Sequence, residues 1–508
     1  MKALSIVIHT HNFCVTTNTD FAKACVQKFT DRLIHRPFQQ GPQQKPKLFA
    51  SVRADMKEFR FVIGVLGSFK KYIDDLSFID GYDMSFAGVP SCKKTTYELV
   101  ENSEYRDYQI PVRDFVLSPI SADYAYSRLI TMPTGTGKTK TALMTAALIG
   151  NKIGVVVLAK YVEKWVADIQ ETFKIDPKRI LVVVGAKYLK GLLFLASQDK
   201  LDDYDAIVIS MQTLAPYYDT YEAYGDTFDD LGFDVRPADL FTACGIGTVI
   251  IDESHEHIHL VHRVMSYMHV LMTIALSATF QSDDMFITRI HKAMFPHEIR
   301  INSVKMRKYI HLSAVAYNFR NFNKNKIRTS SWGSTSYSHV EFEKAILKDG
   351  NYLNNYLRML SSTIRTGYAD DYKKGDKCLV FASRIEMVNK IVKNLEKLFP
   401  QFKVSSYVKD DDYHVLKESD IIVSTLGSAG TAVDIKGLTC VLLSVAINSS
   451  VSNLQALGRL REIVGRIVRF YYFYCEQIPK HVEYHYNKVE LFRDRVLRFN
   501  EYFSDVLI

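Results

Sequence analysis

The stretch SRLITMPTGTGKT, residues 127–139, decides the fold. An apolar run typical of a buried strand leads into a glycine-rich turn, and a helical pattern follows. Gly135 and Gly137 allow backbone amides to point at a phosphate, and the helix N-terminus adds partial positive charge. We therefore predict that Lys138 reaches the β- and γ-phosphates of ATP and that the Thr139 hydroxyl ligates Mg²⁺.

This phosphate-binding pattern departs from its usual form at the first position, because Met132 stands where a glycine is expected. The order of strand, loop and helix still favours a nucleotide site over the alternative, a glycine-rich turn without a ligand. The residues predicted to line this site are Pro133, Thr134, Gly135, Thr136, Gly137, Lys138 and Thr139.

A second apolar run, VIIDESH at residues 249–255, delivers two carboxylates to the end of a predicted buried strand. Ligands bind at the carboxyl ends of the strands in open α/β sheets. We predict that Asp252 holds Mg²⁺, through water, and that Glu253 polarises the water that attacks the phosphate. Phosphoryl transfer depends on such positioned charges more than on covalent chemistry.

The same segment contains a competing pattern, because His255, Glu256 and His259 spell the HExxH motif of zinc peptidases. That motif places two histidines on one helix face and uses the glutamate to activate water. Its extended form would need a histidine at Met265 and a glycine at His262. Zinc peptidase activity therefore stays a remote alternative, and a polar helix is the interpretation without catalysis.

Outward from these motifs, short β-branched runs alternate with helical segments. Continuous apolar strands separated by helices indicate parallel sheets covered on both faces. We expect an α/β fold with two successive lobes, at residues 101–305 and 306–508. The predicted strands are SRLITM, KIGVVVLA, ILVVVG, DAIVIS, TVIID and TIALSAT in the first lobe, and KCLVFAS, KVSSYV, DIIVST and CVLLSVA in the second.

Residues 1–100 have a different pattern, which predicts a small α+β accessory domain. ALSIVIH and EFRFVIG are predicted strands, and Asp20 to Ile34 has apolar residues at helical spacing. Three prolines between residues 36 and 47 indicate an exposed loop or arm. The domain has 14 basic and 9 acidic residues, a surplus that suits DNA recognition but equally suits a solvated face.

The composition of the 508 residues excludes several classes of protein. With 47% hydrophobic and 24% charged residues, the chain is not disordered, collagenous or coiled-coil. The net charge of +8 permits a polyanionic partner without demonstrating one. Seven cysteines without a CxxC pair favour a reducing, cytoplasmic setting over a disulfide framework or zinc ribbon. No apolar run approaches the ~20 residues of a membrane span, so we expect a soluble protein without a membrane partner.

Two stretches differ from the rest in charge. Residues 217–234 contain six acids and no base, interleaved with aromatics, and are predicted to be a surface insertion. Residues 301–340 contain seven bases and no acid. Cations suit phosphates and aromatic rings suit bases, so this second stretch predicts either a nucleic-acid contact or a solvated connector between lobes. Its candidate contacts are Lys324, Lys326 and Arg328, and its aromatics include Tyr317, Phe319, Phe322, Trp332 and Tyr337.

Over about residues 104–470, the order and spacing of the motifs resemble the superfamily 2 helicases and translocases of the DExH type. The resemblance implies tandem RecA-like lobes, ATP and Mg²⁺ as cofactors, and a nucleic-acid partner. RDYQ, residues 106–109, looks like the adenine-reading element, which implies nucleotide contacts for Arg106 and Gln109. LAKYVEKW and ISMQTL are similar to strand-contacting motifs and LSAT to the coupling motif. They imply nucleic-acid contacts at Lys160, Gln212 and Thr213, and coupling between the two sites by Ser277 and Thr279.

The second lobe carries three further similar motifs, LVFASR, VSTLGSAGTAVDIKGL and QALGRLRE. The last resembles the arginine-finger motif QxxGRxxR, but here the second arginine follows Arg459 by two positions rather than three. The resemblance implies that at least one of Arg459 and Arg461 is indispensable. Arg461 can act as an arginine finger only if the register of its helix tolerates one residue less. It also implies nucleic-acid contacts at Ser383, Arg384 and Thr425, and nucleotide contacts at Gly430, Asp434 and Gln455.

Within the superfamily, the single core and small front domain look most like phage recombination helicases of the UvsW type. That resemblance implies an ATP-dependent DNA helicase that unwinds or branch-migrates forks and Holliday junctions in recombination, repair or replication, in the cytoplasm of a host if the protein is phage-encoded. Poxvirus transcript-release helicases are also similar. An RNA helicase or a translocase that tracks duplex without separating strands is therefore the first alternative, and a binding module with a degenerate ATPase core is another.

Overall fold

The computed structural model describes residues 2–36, 46–76, 81–101, 103–119, 126–132, 136–277, 284–302, 308–323, 327, 329–330, 337–408, 411, 414–429 and 435–508. The chain folds as two compact units, Met1–Val304 and Lys305–Ile508. Among the helices in these ranges, none is long and apolar enough to cross a membrane.

The first unit begins with a five-stranded accessory sheet of order β5-β6-β2-β1-β7, antiparallel except where β1 pairs with β7. The predicted strands and helix are present. Thr19 caps the N-terminus of helix α1, because its hydroxyl accepts from the amide of Ala22 at 3.1 Å. The elements are β1 (Leu4–Ile8), β2 (Asn12–Thr17), α1 (Asp20–Thr30), β3 (Ile34–His35), β4 (Lys47–Leu48), β5 (Ser51–Val52), β6 (Glu58–Val62), α2 (Leu66–Asp74) and β7 (Tyr82–Phe86).

A seven-stranded parallel sheet follows in the same unit, with the order β10-β11-β9-β12-β13-β8-β14. Its central strands are buried throughout, as their uninterrupted apolar runs predict. The elements are α3 (Ile110–Leu117), β8 (Ser127–Thr131), α4 (Lys138–Ile149), β9 (Ile153–Val157), α5 (Val162–Thr172), β10 (Ile180–Val183), α6 (Ala186–Ser197), β11 (Ala206–Ser210), α7 (Met211–Tyr224), α8 (Leu240–Ala243), β12 (Thr248–Ile251), α9 (Ile258–Tyr267), β13 (Met272–Ser277), α10 (Met285–Met294) and β14 (Arg300–Asn302).

The accessory sheet packs on helix α9, which follows the DESH segment. The Asn12 side-chain amide donates to the carbonyl of Met265 at 3.1 Å and to that of Met268 at 2.8 Å, at the C-terminal end of α9. The His259 ring lies 3.0 Å from the carbonyl of Leu48. These contacts satisfy polar groups that a helix end leaves without intrahelical partners.

The acidic stretch at residues 217–234, predicted to be a surface insertion, is integrated into the first unit. The segment forms the end of α7 and a 3₁₀ stretch to Leu231, and four of its six acids pair with arginines outside the stretch. Asp219 pairs with Arg263 at 2.6 Å, and Asp226 with Arg53 of the accessory domain at 2.8 Å. Because those arginines are distant in sequence, the acidic run looked unpaired. Four of its aromatics are buried: Tyr217, Tyr218, Tyr221 and Phe228.

The second unit contains another seven-stranded parallel sheet, of order β17-β18-β16-β19-β20-β15-β21. Alternate residues of β16 enter two hydrophobic clusters, as a sheet covered on both faces requires. The elements are β15 (Ile310–Tyr317), α11 (His339–Lys348), α12 (Gly350–Ile364), β16 (Lys377–Ala382), α13 (Ile385–Leu398), β17 (Val404–Tyr407), α14 (His414–Glu418), β18 (Ile421–Thr425), α15 (Leu426–Ala429), β19 (Leu438–Leu443), α16 (Ser450–Leu457), β20 (Val468–Cys475), α17 (Pro479–Phe492) and β21 (Arg498–Phe503). The two parallel sheets confirm the predicted fold class of tandem RecA-like lobes behind a small α+β domain.

Within the basic stretch 301–340, the structure corrects the role of the aromatic residues. Residues 310–317 are strand β15, and Tyr317 and Phe319 are 1% and 2% exposed in the core of the second sheet. Phe322 and Tyr337 pack against the same cluster. All four rings stabilise the lobe, and the buried rings of Tyr317 and Phe319 are not available to stack on bases. Trp332 lies outside the described residues.

Candidate functional site

Five adjacent strands of the first parallel sheet, in the order β11-β9-β12-β13-β8, carry the predicted motifs at their carboxyl ends. The phosphate loop follows β8, the carboxylate pair follows β12, and Ser277 ends β13. Lys160 and Gln212 follow β9 and β11. Because parallel strands end at one edge, motifs separated by about 150 residues along the chain converge there.

The phosphate loop meets helix α4 at Gly137. The backbone φ there is +81°, a left-handed conformation that favours glycine at this position. A Cβ at this position would lie 2.7 Å from the side-chain nitrogen of Gln109. Lys138 is the first residue of α4 and is 8% exposed. In the part of the chain that the structure describes, no group hydrogen-bonds to its Nζ, which lies 3.7 Å from Oε1 of Glu253. A buried ammonium without a hydrogen-bond acceptor fits a bound phosphate.

The methionine that replaces the first glycine of the pattern has a structural role. Met132 is fully buried, and its amide donates to the carbonyl of Ser277 at 3.1 Å. Met132 therefore fills part of the core, and its hydrogen bond extends the pairing between β8 and β13 beyond Thr131. Thr139 is half-buried on the first turn of α4.

Asp252 is 7% exposed and is held by two donors. The indole nitrogen of Trp165 donates to Oδ2 at 2.8 Å, and the amide of Glu253 donates to Oδ1 at 2.9 Å. Burial raises the pKa of the Asp252 carboxyl above its usual value, and the Glu253 carboxylate raises it further. A nearby divalent cation would favour the charged form, so this donor set fits Mg²⁺.

Sequence reasoning missed the role of Trp165, which lies in the quoted LAKYVEKW motif. The signal available was its type, because a fully buried tryptophan needs an acceptor for its N–H. Glu253 has a φ of +44°, a left-handed conformation that is strained for a residue with a side chain. In this backbone conformation, Oε1 of Glu253 lies 3.7 Å from Nζ of Lys138.

His255 connects the carboxylate pair to the coupling motif. Its Nδ1 lies 2.9 Å from the hydroxyl of Ser277 and 3.4 Å from Oε2 of Glu253. Burial lowers the pKa of His255 below 6.5, which favours the neutral ring at pH 7. Thr279 lies outside the described residues.

The HExxH segment does not form one helix face. Residues 254–257 are a turn, and α9 begins at Ile258. His255 faces Ser277, whereas His259 faces the carbonyl of Leu48. The described residues contain no group of three or more histidine, cysteine or acidic side chains placed to hold a metal ion.

The predicted adenine-reading element lies next to the phosphate loop. Gln109 is 5% exposed, and its amide donates to the carbonyl of Thr136 at 2.9 Å. The Tyr108 hydroxyl donates to the same carbonyl at 3.2 Å, and Arg106 donates to that hydroxyl at 2.7 Å. Tyr108 was not singled out from the sequence, although it lies inside the quoted RDYQ motif. The element therefore contacts the described end of the phosphate loop at Thr136.

The predicted strand contacts of the first lobe lie at the same sheet edge. The Gln212 side chain accepts from the amide of Ala159 at 3.0 Å and so fixes the loop that carries Lys160. The Lys160 ammonium is half exposed and lies 3.6 Å from Glu256. The Thr213 hydroxyl accepts from the amide of Gly185 at 2.8 Å, at the N-terminus of α6.

In the second unit, the loop after β16 is held by a carboxylate that sequence reasoning missed. Glu343 is fully buried, and its two oxygens accept from the amides of Ser383 and Arg384, each at 2.8 Å. Thr425 ends β18, and its hydroxyl accepts from the amide of Ser428 at 3.3 Å. Both loops lie at the carboxyl edge of the second sheet. No local pattern marks Glu343, because its partners lie 40 residues further along the chain.

The two arginines of the last motif have different surroundings. Arg459 is 3% exposed in the turn after α16. The guanidinium of Arg461 donates to the carbonyls of Gly458 and Leu460 in its own turn. Gln455 is half-buried on α16. The predicted site residues outside the described ranges are Pro133, Thr134, Gly135, Thr279, Lys324, Lys326, Arg328, Gly430 and Asp434.

A comparison with protein-family models matches residues 102–282 to the family described as type III restriction enzyme, res subunit. This range contains the phosphate loop, the carboxylate pair and the predicted coupling residues Ser277 and Thr279. A comparison with curated proteins finds no significant match.

Among solved structures, the chain is similar to the crystal structure of T4 UvsW, with a TM-score of 0.35 and 11% sequence identity over 100% of both chains. It is similar to the Pyrococcus furiosus Hef helicase domain, with a TM-score of 0.43 and 14% identity over 76% of this chain and 98% of that one. It is also similar to S. cerevisiae Dbp5 bound to RNA and ADP BeF3, with a TM-score of 0.47 and 11% identity over 80% and 95%. The family match covers the first parallel sheet and its motifs, and the two seven-stranded parallel sheets have the arrangement expected of tandem RecA-like lobes.

Proposed function

We propose that this protein is a superfamily 2 helicase that uses ATP to unwind or branch-migrate branched DNA, such as forks and Holliday junctions, in recombination, repair or replication. The observation that carries the proposal is the buried Lys138 ammonium beside Glu253, at the carboxyl edge of a parallel sheet. A cation placed there at the start of a helix suits the phosphates of a nucleotide. DNA as the substrate rests on the resemblance of the motif series to UvsW-type enzymes, and the basic accessory domain supports it.

The chemistry divides among four residues of the first lobe. Mg²⁺, when bound, neutralises charge on the phosphates. Thr139 and Asp252 would hold that ion, and Lys138 binds the β- and γ-phosphates. Glu253 positions the attacking water and accepts its proton, because it is the carboxylate next to the phosphate-binding ammonium. Trp165 keeps the Asp252 carboxylate in one orientation.

We propose that coupling to strand movement begins with His255. Its ring contacts both Glu253 and Ser277, so a change at the catalytic carboxylate alters the group that ends β13. Thr279 follows on the same segment. Arg459 and Arg461 are the candidate arginine fingers, and Gln109, Arg106, Gln455, Gly430 and Asp434 are proposed nucleotide contacts. Such ligand-dependent contacts can drive a hinge transition during each cycle of hydrolysis.

Strand contacts are proposed at the carboxyl edges of both sheets and in the basic stretch. Most are to phosphates, which position a strand and carry little sequence information. The proposed contacts are Lys160, Gln212 and Thr213 in the first lobe and Ser383, Arg384, Thr425, Lys324, Lys326 and Arg328 in the second.

The proposal is tested by measuring ATP hydrolysis with single-stranded DNA, plain duplex, a fork and RNA of matched sequence. We expect the fork to stimulate hydrolysis most and RNA least. Stimulation by RNA alone would replace DNA by RNA as the substrate and favour the alternative of an RNA helicase or transcript-release translocase. Hydrolysis that no polymer stimulates would contradict the proposal.

A further inference from the structure

A groove of about 630 Å³ lies between helices α1 and α2 of the accessory domain. It is open to solvent on one side. Lys28 and Arg32 line one wall, Lys71 lines the other, and Tyr72 lies between them. None of the motifs described above includes these residues. The basic residues of the groove therefore have no role in the nucleotide site described above.

The cations of this groove are not neutralised by acidic side chains. In the described ranges, neither Lys28 nor Lys71 forms an ion pair, and Asp75 is the one acid among the lining residues that the structure describes. The Arg32 guanidinium lies over the Tyr72 ring, 4.6 Å from its centroid. This cation–π contact positions the guanidinium at the groove and leaves its positive charge unneutralised. Three exposed cations with one acid leave a surplus that attracts a polyanion.

The walls of the groove are fixed before any ligand arrives. The Tyr72 hydroxyl of α2 donates to the carbonyl of Cys25 in α1 at 3.0 Å. The Phe29 ring packs against Tyr72 at 5.4 Å between centroids and against Phe69 at 5.1 Å. Because both helices are locked by these contacts, binding costs little ordering of the backbone.

The accessory domain is also fixed to the first lobe, through the bonds of Asn12 to the end of α9. A ligand in the groove is therefore held at a constant distance from the carboxylate pair that precedes α9. For an enzyme that moves along a strand, such a fixed site would anchor one part of the substrate while other contacts change.

We propose that the groove between α1 and α2 binds the phosphate backbone of the nucleic-acid substrate, through Lys28, Arg32 and Lys71. The identity of the polyanion as nucleic acid rests on the proposed function. Regularly spaced phosphates match cations presented on two helices, and the Tyr72 ring offers a flat apolar surface to a sugar or base. Binding of this kind carries no sequence preference.

The test compares the triple variant Lys28→Gln, Arg32→Gln, Lys71→Gln with a control that loses the same charge, Lys390→Gln, Lys393→Gln, Lys397→Gln on the exposed side of α13. Fluorescence anisotropy without nucleotide measures the affinity for a labelled fork and for an RNA hairpin between 50 and 200 mM salt. We expect the groove variant to bind the fork at least about 10-fold more weakly, with a log–log salt slope reduced by up to about 2.7, since each phosphate contact contributes ~0.9. In the control variant, the loss of affinity and the change in salt slope should each be at most about a quarter of those in the groove variant.

Two results have different meanings. A wild-type protein that binds no polymer would contradict the proposed function itself. A wild-type protein that binds, with a groove variant indistinguishable from the α13 control, would overturn the groove proposal alone. A charge-keeping variant, Lys28→Arg with Lys71→Arg, should bind as the wild type does, and its failure to do so would also overturn a phosphate-binding role. Basal ATP hydrolysis should be the same in all of these variants.

Discussion

Nζ of Lys138 lies 3.7 Å from Oε1 of Glu253, and both side chains are largely buried. This pair joins the phosphate loop to the carboxylate that follows β12. A phosphate bound by the Lys138 ammonium would therefore lie close to the Glu253 carboxylate. Variants of each residue can therefore test phosphate binding by Lys138 and water activation by Glu253 separately.

Lys138→Ala should lower ATP hydrolysis by at least about 10²-fold, because it removes a preorganised charge from the transferred phosphate. Glu253→Gln keeps the shape of the side chain but not its basicity, so it should lower turnover by about 10²–10⁴-fold and leave ATP binding intact. Steady-state hydrolysis and equilibrium binding of a fluorescent ATP analogue check both. Normal turnover in Glu253→Gln would mean that Glu253 is not the base.

Trp165→Phe tests whether the indole positions Asp252. The change removes one donor to a buried carboxylate, a bond worth about 1.5–3 kcal/mol, and keeps an aromatic ring in the core. We expect weaker Mg²⁺ binding, seen as a higher Mg²⁺ concentration at half-maximal rate, together with a lower free energy of unfolding of up to about 1.5–3 kcal/mol. A variant with unchanged Mg²⁺ dependence would leave Trp165 with a packing role.

Arg459→Ala and Arg461→Ala should differ. Arg461 donates to carbonyls of its own turn, so its loss should affect the turn first and hydrolysis less. Arg459→Ala should lower the rate by about 10³–10⁵-fold if it acts as an arginine finger. Nucleic-acid-stimulated hydrolysis of the two single variants decides between them, and a larger loss in Arg461→Ala would reverse the assignment.

Asn12→Ala should destabilise the first unit, because two carbonyls at the end of α9 lose a common donor in a buried position. We expect a loss of about 1–3 kcal/mol in the free energy of unfolding, measured with urea. Asn18→Ala is the matched control, since the Asn18 amide donates to a carbonyl at an exposed position. Equal stabilities for the two variants would contradict a structural role for this contact.

Lys488 gives the second unit a predictable pH dependence. Burial lowers the pKa of Lys488 from 10.5 to about 7, and its amine donates to the carbonyl of Ile447 at 2.7 Å. Between these values the unfolded chain binds a proton that the folded chain does not, so this lysine makes stability rise with pH from about 7 to 10.5. Below that window both states are protonated and its cost is constant.

Lys488→Met removes this dependence. The stability of the variant relative to the wild type should therefore be highest below pH 7 and fall by up to about 1.4 kcal/mol per pH unit above it. Urea unfolding at several pH values measures the difference. Lys480→Met, on the exposed side of the same helix, should show no comparable slope, and a flat difference for Lys488→Met would show that the buried lysine stays charged.

The central strands of both sheets could be predicted from sequence because each is a short, continuous apolar run. Strand β21, RFNEYF, could not, since it lies at a sheet edge with exposed residues and an irregular pattern. Strand β15 was obscured by the basic residues around it. Charge and aromatic content suggested a binding segment, whereas Tyr317 and Phe319 belong to the core. Composition alone does not separate rings that stack on a base from rings that fill a lobe.

The candidate site shows the same division. The spacing of motifs located Lys138, Asp252 and Glu253, because local backbone geometry and strand ends determine where such residues lie. The groups that hold them were not accessible from sequence. Trp165 meets Asp252 from 87 residues away, and Glu343 meets Ser383 from 40 residues away. Such pairs exist only after the sheet has assembled.

The most direct test of the central claim is strand separation itself, measured with labelled fork, Holliday-junction, plain-duplex and RNA substrates of matched sequence, with and without ATP. The account predicts ATP-dependent separation or branch migration of the fork and the junction, and none in Glu253→Gln. Separation of RNA alone, or no strand movement on any substrate despite active hydrolysis, would contradict it.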